Sequence, residues 1–236
     1  MKRRLILLAL AAVFVIGIAT FPLRAALAWS GVDAAGLSAR GVTGTIWSGR
    51  IHDAVWHGAA LGTLDVGLIP AALLRGEVRM RAVRDDLLRG KLVGDIILSG
   101  DRGVDNVSGA LSLGASLAGV PLDTLRLNAV RVRFDDAGRC VAAGGTVQLA
   151  LVLPVPGLDL ANGLSGPLAC RDGRAQAVLA SQSGMEKLQV DIDGKGVWKA
   201  RLAIGAGNDP MLAALLRAAG FLPAGDALVL MRQGRL

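Results

Sequence analysis

The sequence predicts a mainly β protein, with a single N-terminal transmembrane helix followed by an antiparallel β-rich domain that carries two short helices. Three observations lead to this fold class. An uncharged stretch, residues 5–21, follows three cations at the N-terminus. Apolar and polar residues then alternate with period two in several segments, as half-buried antiparallel strands require. Short sequences rich in glycine and aspartate separate these segments and are typical of turns.

The N-terminal segment predicts a membrane anchor over residues 5–28. Three cations, residues 2–4, precede its apolar stretch, and Arg24 lies near its end. A spanning helix needs about 20 residues, so the apolar residues that flank Arg24 would extend the stretch to a sufficient length. By the positive-inside rule, residues 1–4 form a cytoplasmic tip. Residues 29–236 then form a periplasmic domain, and the protein crosses the cell inner membrane once.

A cleaved signal peptide is the alternative interpretation of the same segment. Ala26, Leu27 and Ala28 form an A-x-A sequence, which is typical of a cleavage site. The apolar stretch is longer than the usual signal-peptide core of about 7–15 residues, which favours the uncleaved anchor. Both interpretations export the remainder of the chain, in which no second apolar run of this length occurs.

Six segments of the exported part show the alternation of half-buried strands. Turn sequences at 135–139, 171–174 and 193–196 lie between these segments, which predicts hairpins in chain order. The alternation changes phase at Ala129–Val130, which predicts a β-bulge there. The six segments are residues 78–82, 125–128, 130–134, 147–153, 188–192 and 198–204.

Two short helices and a last strand complete the predicted domain. Residues 69–76 predict one helical turn, because proline lies near the start and glycine at the end. Residues 208–220 predict a longer helix, in which Asn-Asp-Pro supplies the cap and the first turn, leucines mark one face, and glycine ends it. Residues 227–231 predict the last strand. No βαβ alternation and no dinucleotide-binding fingerprint occurs.

Charge and cysteine content narrow the function classes. The formal net charge is +7, but four of the 26 basic residues lie in the N-terminal segment, which leaves 22 against 19 acidic residues. No basic run is interleaved with aromatic residues, so we expect no nucleic-acid partner. Cys140 and Cys170 both fall in the exported part, where two thiols usually form a disulfide bond. Two buried free thiols are the alternative.

Candidate catalytic and metal-binding residues do not add up to an active site. His52 and His57, the only histidines, are five residues apart and lie on opposite faces of a strand, so they do not readily chelate one ion. Ser48 does not lie in a G-x-S-x-G sequence. Asp191 and Asp193 share a strand face and could bind a cation, but the glycine that follows predicts a turn instead. We therefore expect no enzyme activity, no cofactor and no metal.

The segment GVTGTIWSGRI, residues 41–51, combines three glycines with a tryptophan and β-branched residues. No Lys-Ser/Thr pair opens a helix after it, which excludes a phosphate-binding loop. Trp47 and Trp56 have two interpretations. Core packing is favoured, because large aromatic residues are mostly buried. A docking strand that a partner extends is the alternative.

This segment also carries a resemblance to a known family. Its motif is followed by a G-x-L-x-x-x-x-x-P-x-x-L-L-x-G element at 62–76, by Cys140 and Cys170, and by D-P-x-L-x-x-x-L-x-x-x-G at 209–220. With the predicted anchor in front, this order resembles protein N of the bacterial type II secretion system, or general secretion pathway protein N, over nearly the full chain. The motif residues are Gly44, Thr45, Ile46, Trp47, Ser48 and Gly49.

The resemblance implies a non-enzymatic accessory and assembly subunit at the inner membrane, which supports export of folded proteins from the periplasm across the outer membrane. The implied partners are the inner-membrane platform, the single-span C-type subunit and the outer-membrane secretin. The alternative function is an anchored envelope protein that binds or transfers lipid through an apolar β-sheet groove. A periplasmic hydrolase or carbohydrate binder is a third, disfavoured by the absence of an acid–base set and of tyrosine.

Arginines on the polar faces of the predicted strands have two interpretations as well. They form a solvated outer face by default, and they could instead meet lipid headgroups or an acidic partner. These residues are Arg79, Arg81, Arg131 and Arg133.

Overall fold

The computed structural model describes residues 2–30, 36–87, 89–112, 122–151, 163–205 and 209–235. Fifteen strands form one antiparallel sheet that follows the chain order almost throughout, with β2 paired to β3 beside β1 and with β15 lying between β13 and β14. The strands are β1 (Leu37–Ser38), β2 (Gly41–Gly44), β3 (Gly49–Trp56), β4 (Ala59–Leu68), β5 (Arg79–Asp86), β6 (Gly90–Ile97), β7 (Arg102–Ser112), β8 (Leu122–Phe134), β9 (Cys140–Leu151), β10 (Leu164–Arg171), β11 (Arg174–Ala180), β12 (Glu186–Ile192), β13 (Val197–Ile204), β14 (Leu222–Ala224) and β15 (Ala227–Arg235). The helices are α1 (Lys2–Ala19), α2 (Leu23–Ser30), α3 (Pro70–Leu73) and α4 (Pro210–Ala218).

The predicted hairpins in chain order are confirmed, and their turns are held by local hydrogen bonds. The Asp135 carboxylate accepts a hydrogen bond from the Arg139 amide at 2.8 Å. The Asp193 carboxylate accepts one from the Val197 amide at 2.9 Å, so this acid belongs to a turn and not to a cation site. Aspartate favours turns because its side chain bonds to the backbone a few residues further on.

The predicted phase change at Ala129–Val130 is also confirmed. The pairing of β8 with β9 shifts register between Asn128 and Arg131, and Ala129 has a φ of 49°. The inserted residue restores the inward orientation of Val130, which is buried. A β-bulge at this point therefore keeps both halves of a long strand on one core.

Two apolar cores lie along the sheet. The larger one is built from β8 to β13, β15 and α4, and the smaller one from α2 and β3 to β5. The predicted C-terminal helix covers part of the larger core, and its cap is confirmed: the Asp209 carboxylate accepts hydrogen bonds from Met211 N and Leu212 N. The larger core contains Val130, Val147, Leu149, Leu164, Leu179, Leu202, Ile204, Leu212, Leu216 and Leu228.

A buried arginine holds three neighbouring parts of the sheet together. Arg84 is only 1% exposed, and its guanidinium donates to four backbone carbonyls instead of a carboxylate. Its partners are the oxygens of Leu61 on β4, Arg89 and Gly90 at the start of β6, and Ala110 on β7. Burial lowers the pKa of this guanidinium from its ordinary value. The four carbonyls satisfy the donors that burial would otherwise leave unpaired.

The N-terminal segment differs from the continuous anchor that the sequence predicts over residues 5–28. Helix α1 ends at Ala19 and α2 begins at Leu23, so that prediction is wrong about continuity. Pro22 lies at the break, where its ring and its missing amide hydrogen interrupt a helix. In the part of the chain that the structure describes, no helix combines the length and the apolar character needed to cross a membrane.

Candidate functional site: the joint between the N-terminal helices and the sheet

The motif segment, residues 44–49, lies where the N-terminal helices meet the sheet. It forms the turn between β2 and β3, and its backbone also forms hydrogen bonds with the segment after α1 and with the end of β4. Ile46 N donates to Phe21 O at 3.1 Å, and Leu68 N donates to Ile46 O at 2.8 Å. Pro22 and Thr45 form an isolated antiparallel bridge. The motif therefore lies as a short strand between the α1–α2 break and the end of β4.

The indole of Trp47 fastens the end of α1. Its Nε1 donates to the carbonyl oxygen of Ile18 at 2.9 Å. Ile18 is in the last turn of the helix, and its carbonyl also accepts a hydrogen bond from the Phe21 amide at 3.3 Å. The indole therefore adds a second, shorter hydrogen bond to a carbonyl that the helix interior does not satisfy. Trp47 is half-buried and outside both apolar cores. The predicted core role is thus wrong for Trp47, and it is wrong for Trp56, whose ring is exposed and packs edge-on against His57.

Two glycines in and beside the motif let neighbouring groups come so close to the backbone that a side chain at either position would clash with them. A Cβ on Gly49 would lie 2.5 Å from Leu23 Cδ2, and a Cβ on Gly67 of β4 would lie 2.4 Å from Trp47 O. Gly44 adopts a φ of 85°, a left-handed conformation that glycine reaches without steric cost. The joint therefore needs glycine at these positions for packing as well as for its turn.

Leu23 packs α2 against the sheet, and Leu27 of the same helix also contacts the smaller core. The Leu23 side chain is fully buried in that core with Ile51, Leu64 and Val66. The ring of Trp29, on the exposed side of α2, contacts the ring of Phe21 just before the helix, with centroids 5.6 Å apart and ring planes tilted by 49°. Since full burial of a leucine side chain stabilises by about 1.5–3 kcal/mol, α2 is an integral part of the domain.

Helix α1 extends from this joint without packing on the sheet. Its apolar side chains from Leu5 to Ile16 that the structure describes as exposed are each 59–69% exposed. A helix that is apolar on all sides usually lies in a protein core or in lipid. This helix therefore requires a cover that the described part of the chain does not provide.

A charged cluster lies on the sheet near the joint and changes the interpretation of the strand arginines. Asp95 and Asp105 are directly opposite each other on β6 and β7. Arg81 Nε lies 2.9 Å from Asp95, Arg133 Nη2 lies 2.9 Å from Asp105, and Arg79 lies within 3.5 Å of both carboxylates. Three cations thus bridge two facing acids, which would repel each other without them.

This cluster is electrically balanced by its own residues. With Glu77, which is 3.4 Å from Arg79, it contains three acids and three arginines. Only Arg131 among the four arginines predicted on cationic strand faces has no ion pair in the described residues, and it is exposed. The interpretation as a cationic face for headgroups or an acidic partner is therefore wrong for Arg79, Arg81 and Arg133.

The two histidines lie apart from each other. His52 Nε2 is 3.4 Å from Thr43 Oγ1, and the His57 ring packs under Gly36 and against Trp56. Across the described residues, no group of three or more His, Cys, Asp and Glu side chains is arranged to hold a metal ion. Ser48 lies in the turn of the motif, where its amide donates to Thr45 Oγ1.

Cys140 and Cys170 form a disulfide bond, as predicted, with their Cα atoms 5.6 Å apart. It lies at the same end of the strands as the motif, between the start of β9 and the end of β10. The Cys140 amide also donates to Gly173 O in the β10–β11 turn at 2.7 Å. Strands β9 and β10 pair over only four positions, so the disulfide holds together ends that the ladder does not.

A family comparison decides the identity of this β-domain. The family model of type II secretion system protein N matches residues 35–230, which cover the motif, both cysteines and nearly the whole sheet. The chain belongs to the type II secretion system protein N family. No curated protein and no solved structure matches the chain. Membership connects this chain to type II secretion and to the other components of that system.

The motif is visible in the sequence, but its contacts are not. The glycines and the tryptophan signal a special backbone, whereas the Ile18 carbonyl carries no sequence signal because every residue has one. Leu23 was grouped with the anchor because it continues the apolar stretch. The proline before it was the available signal that the helix breaks and that a new element begins.

Proposed function

We propose that this protein is a non-enzymatic assembly subunit of the type II secretion system, held at the inner membrane by its N-terminal segment with its sheet in the periplasm. The observation that carries the proposal is the joint. An exposed apolar helix is attached to the sheet there by the motif backbone, by the Trp47 indole and by Leu23. Such a joint presents the domain at a set orientation to neighbours in the same membrane.

Three features support the inner-membrane location. The exposed apolar side chains of α1 would be covered by lipid, and the cations of residues 2–4 would stay on the cytoplasmic side. The Cys140–Cys170 disulfide suits the oxidising periplasm. Cleavage after Ala28 would remove Leu23 from the smaller core, so we expect the intact mass of the mature chain to include residues 1–28.

The role that we propose is mechanical. The inner-membrane platform, the C-type subunit and the outer-membrane secretin are the partners that a periplasmic domain next to the inner membrane could contact. With about 3.3 Å per strand residue, strands of 8–13 residues reach about 26–43 Å, which is enough for contacts beside the membrane. The energy of export would come from other subunits.

A complementation experiment tests the proposal. The gene is deleted, and secreted enzyme activity is measured in medium and periplasm after return of wild type, Trp47→Phe or Trp198→Phe. Trp47→Phe keeps an aromatic ring but lacks the indole donor to Ile18. We expect enzyme to accumulate in the periplasm of the deletion strain and, in part, with Trp47→Phe at normal protein level.

Trp198→Phe is the matched control, because Trp198 lies on β13, far along the sheet order from the joint. It should restore secretion fully. Normal secretion in the deletion strain would contradict the secretion role. Normal secretion with Trp47→Phe alone would contradict the role of the joint and leave the secretion role standing.

Lipid binding is the second candidate function, and one observation favours it. Half-buried apolar side chains continue the larger core beyond its buried part. Lipid extracted from the purified full chain and identified by mass spectrometry would support this function, especially if the deletion strain secretes normally but changes its outer-membrane permeability. The side chains concerned are Val107, Leu125, Leu127, Val132, Leu168, Leu188 and Leu230.

A further inference from the structure

We propose that the protein has a second membrane contact, an apolar rim formed by Leu73, Leu74 and Leu98 with Trp29 and Arg75. This rim would lie on the bilayer surface beside α1 and add to the attachment by the N-terminal segment. The inference rests on the inner-membrane location proposed above, and it names bilayer lipid as the partner of these side chains.

A continuous row of backbone hydrogen bonds places α3 beside the end of α1. Phe21 O accepts from Ile46 N, and Ile46 O accepts from Leu68 N, which is two residues before α3. Two strand spacings separate Phe21 from Leu68, which is about 10 Å. Ile69 N donates to Arg79 O and closes the loop that contains α3. A membrane that holds α1 would therefore pass close to this loop.

The turn between β6 and β7 joins the same rim. Leu98 N donates to Val78 O at 2.9 Å, and Val78 N donates to Ser99 Oγ at 2.7 Å. These bonds hold the turn against the exit of the α3 loop. Trp29 lies beside the end of α1 because its ring contacts Phe21.

The side chains of the rim are unusually exposed for their type. Leu74 is 91% exposed and Trp29 is 80% exposed, while Leu73 and Leu98 are 39% and 44% exposed. The turns further along the same end of the sheet are polar, with the sequences DDAGR at 135–139 and DGKG at 193–196. Among the described residues, exposed leucines at this end are thus limited to the α3 loop and the β6–β7 turn. Such a patch marks an interaction surface.

The charges around the rim suit a phospholipid surface. Arg24 and Arg75 are exposed, and cations near a membrane surface are attracted to anionic headgroups. Of the nearby acids, Glu77 is paired with Arg79, while Asp101 is exposed in the β6–β7 turn, three residues after Leu98. Tryptophan is enriched at the membrane–water interface, where its ring meets the acyl chains and its N–H meets the headgroups.

The chain contains its own matched control for this proposal. The sequence LLRG occurs at 73–76 and again at 87–90, and β5 lies between the two copies. Leu87 is highly exposed, like Leu74, but it lies at the opposite end of β5, and the eight residues of that strand span about 26 Å. Lipid contact by the rim predicts that only the first copy meets the bilayer.

The test uses the full chain with a single labelled cysteine, Leu74→Cys or Leu87→Cys, while Cys140 and Cys170 remain in their disulfide. An environment-sensitive fluorophore is attached, and the protein is reconstituted into vesicles of phosphatidylethanolamine and phosphatidylglycerol with spin-labelled lipid as quencher. We expect blue-shifted emission and strong quenching at position 74, and neither at position 87. Replacement of phosphatidylglycerol by a zwitterionic lipid should weaken the quenching at position 74.

Flotation of the vesicles separates the two proposals. If the chain floats with the vesicles but both probes stay in water, the rim proposal is overturned and the inner-membrane location stands. A blue shift at position 74 without lipid quenching would show that the rim lies on protein, which also overturns it. A chain that does not float at all would contradict the location and the rim together.

Discussion

Removal of the Cys140–Cys170 disulfide should destabilise the protein by an amount that follows from the length of the loop that the bond closes. The bond closes a loop of 30 residues. In the chain-entropy treatment, a cross-link over about 30 residues removes about 12 cal/mol/K from the unfolded state, or about 3.6 kcal/mol at 25 °C. Backbone pairing between β9 and β10 should compensate little for this lost stabilisation, because the two strands pair only between Thr146–Leu149 and Leu164–Pro167.

The variant for this measurement is the double substitution Cys140→Ser/Cys170→Ser in the full chain. Its free energy of unfolding, measured by tryptophan fluorescence in urea, should fall by about 3–4 kcal/mol relative to the oxidised wild type. For a domain of this size the Tm should fall by about 7–14 °C, since 1 kcal/mol corresponds to about 2–4 °C.

Reduction of the wild type supplies the control. Wild type in dithiothreitol should unfold at the same urea concentration as the double-serine variant, and the variant should not respond to dithiothreitol. A double-serine variant as stable as the oxidised wild type would refute the reasoning, because it would mean that the unfolded chain gains no freedom when the bond is absent.

Three further substitutions test other parts of the structure. Gly49→Ala should destabilise by about 1–3 kcal/mol in urea unfolding, because the new methyl group meets the buried leucine of α2, whereas Gly41→Ala, with no atom nearer than 3.9 Å, should change little. Arg84→Met should lower the free energy of unfolding by about 3 kcal/mol or more, since each buried carbonyl left without its donor costs about 1–3 kcal/mol. The amide of Arg139 holds the pKa of Asp135 below its ordinary value of 3.8, so this carboxylate stabilises the fold above that pH. The stability difference between wild type and Asp135→Asn should therefore be largest at neutral pH and shrink as the pH falls through the lowered pKa, as thermal unfolding at several pH values would show.

Local patterns were enough to predict much of this fold. Period-two alternation, aspartate–glycine turns and the Asp209 cap each act over a few neighbouring residues, and the structure confirms all three. The phase change at Ala129 was predictable for the same reason, because a bulge leaves its trace in the order of apolar residues. The disulfide followed from the presence of two cysteines in a domain that the sequence predicts to be exported.

Contacts between distant segments were not predictable in this way. Arg79, Arg81 and Arg133 looked like solvated cations because their acids, Asp95 and Asp105, come from other strands. Arg84 lies among similar arginines in the sequence, yet only the pairing of β4 to β7 in one sheet surrounds it with carbonyls. The sequence shows which charged side chains need a partner, but it does not show whether the fold places an opposite charge beside them.

The sequence by itself determined the class of this protein: a β-rich domain of the type II secretion system protein N family, with an apolar helix in front. Only the tertiary structure decided what the motif does. Hydrogen bonds from Ile46 and Trp47 to the α1–α2 break depend on backbone groups more than 20 residues away, and backbone groups are the same in every residue. The physical reason is that periodicity reports which face of an element is buried, whereas a joint is made where two elements meet.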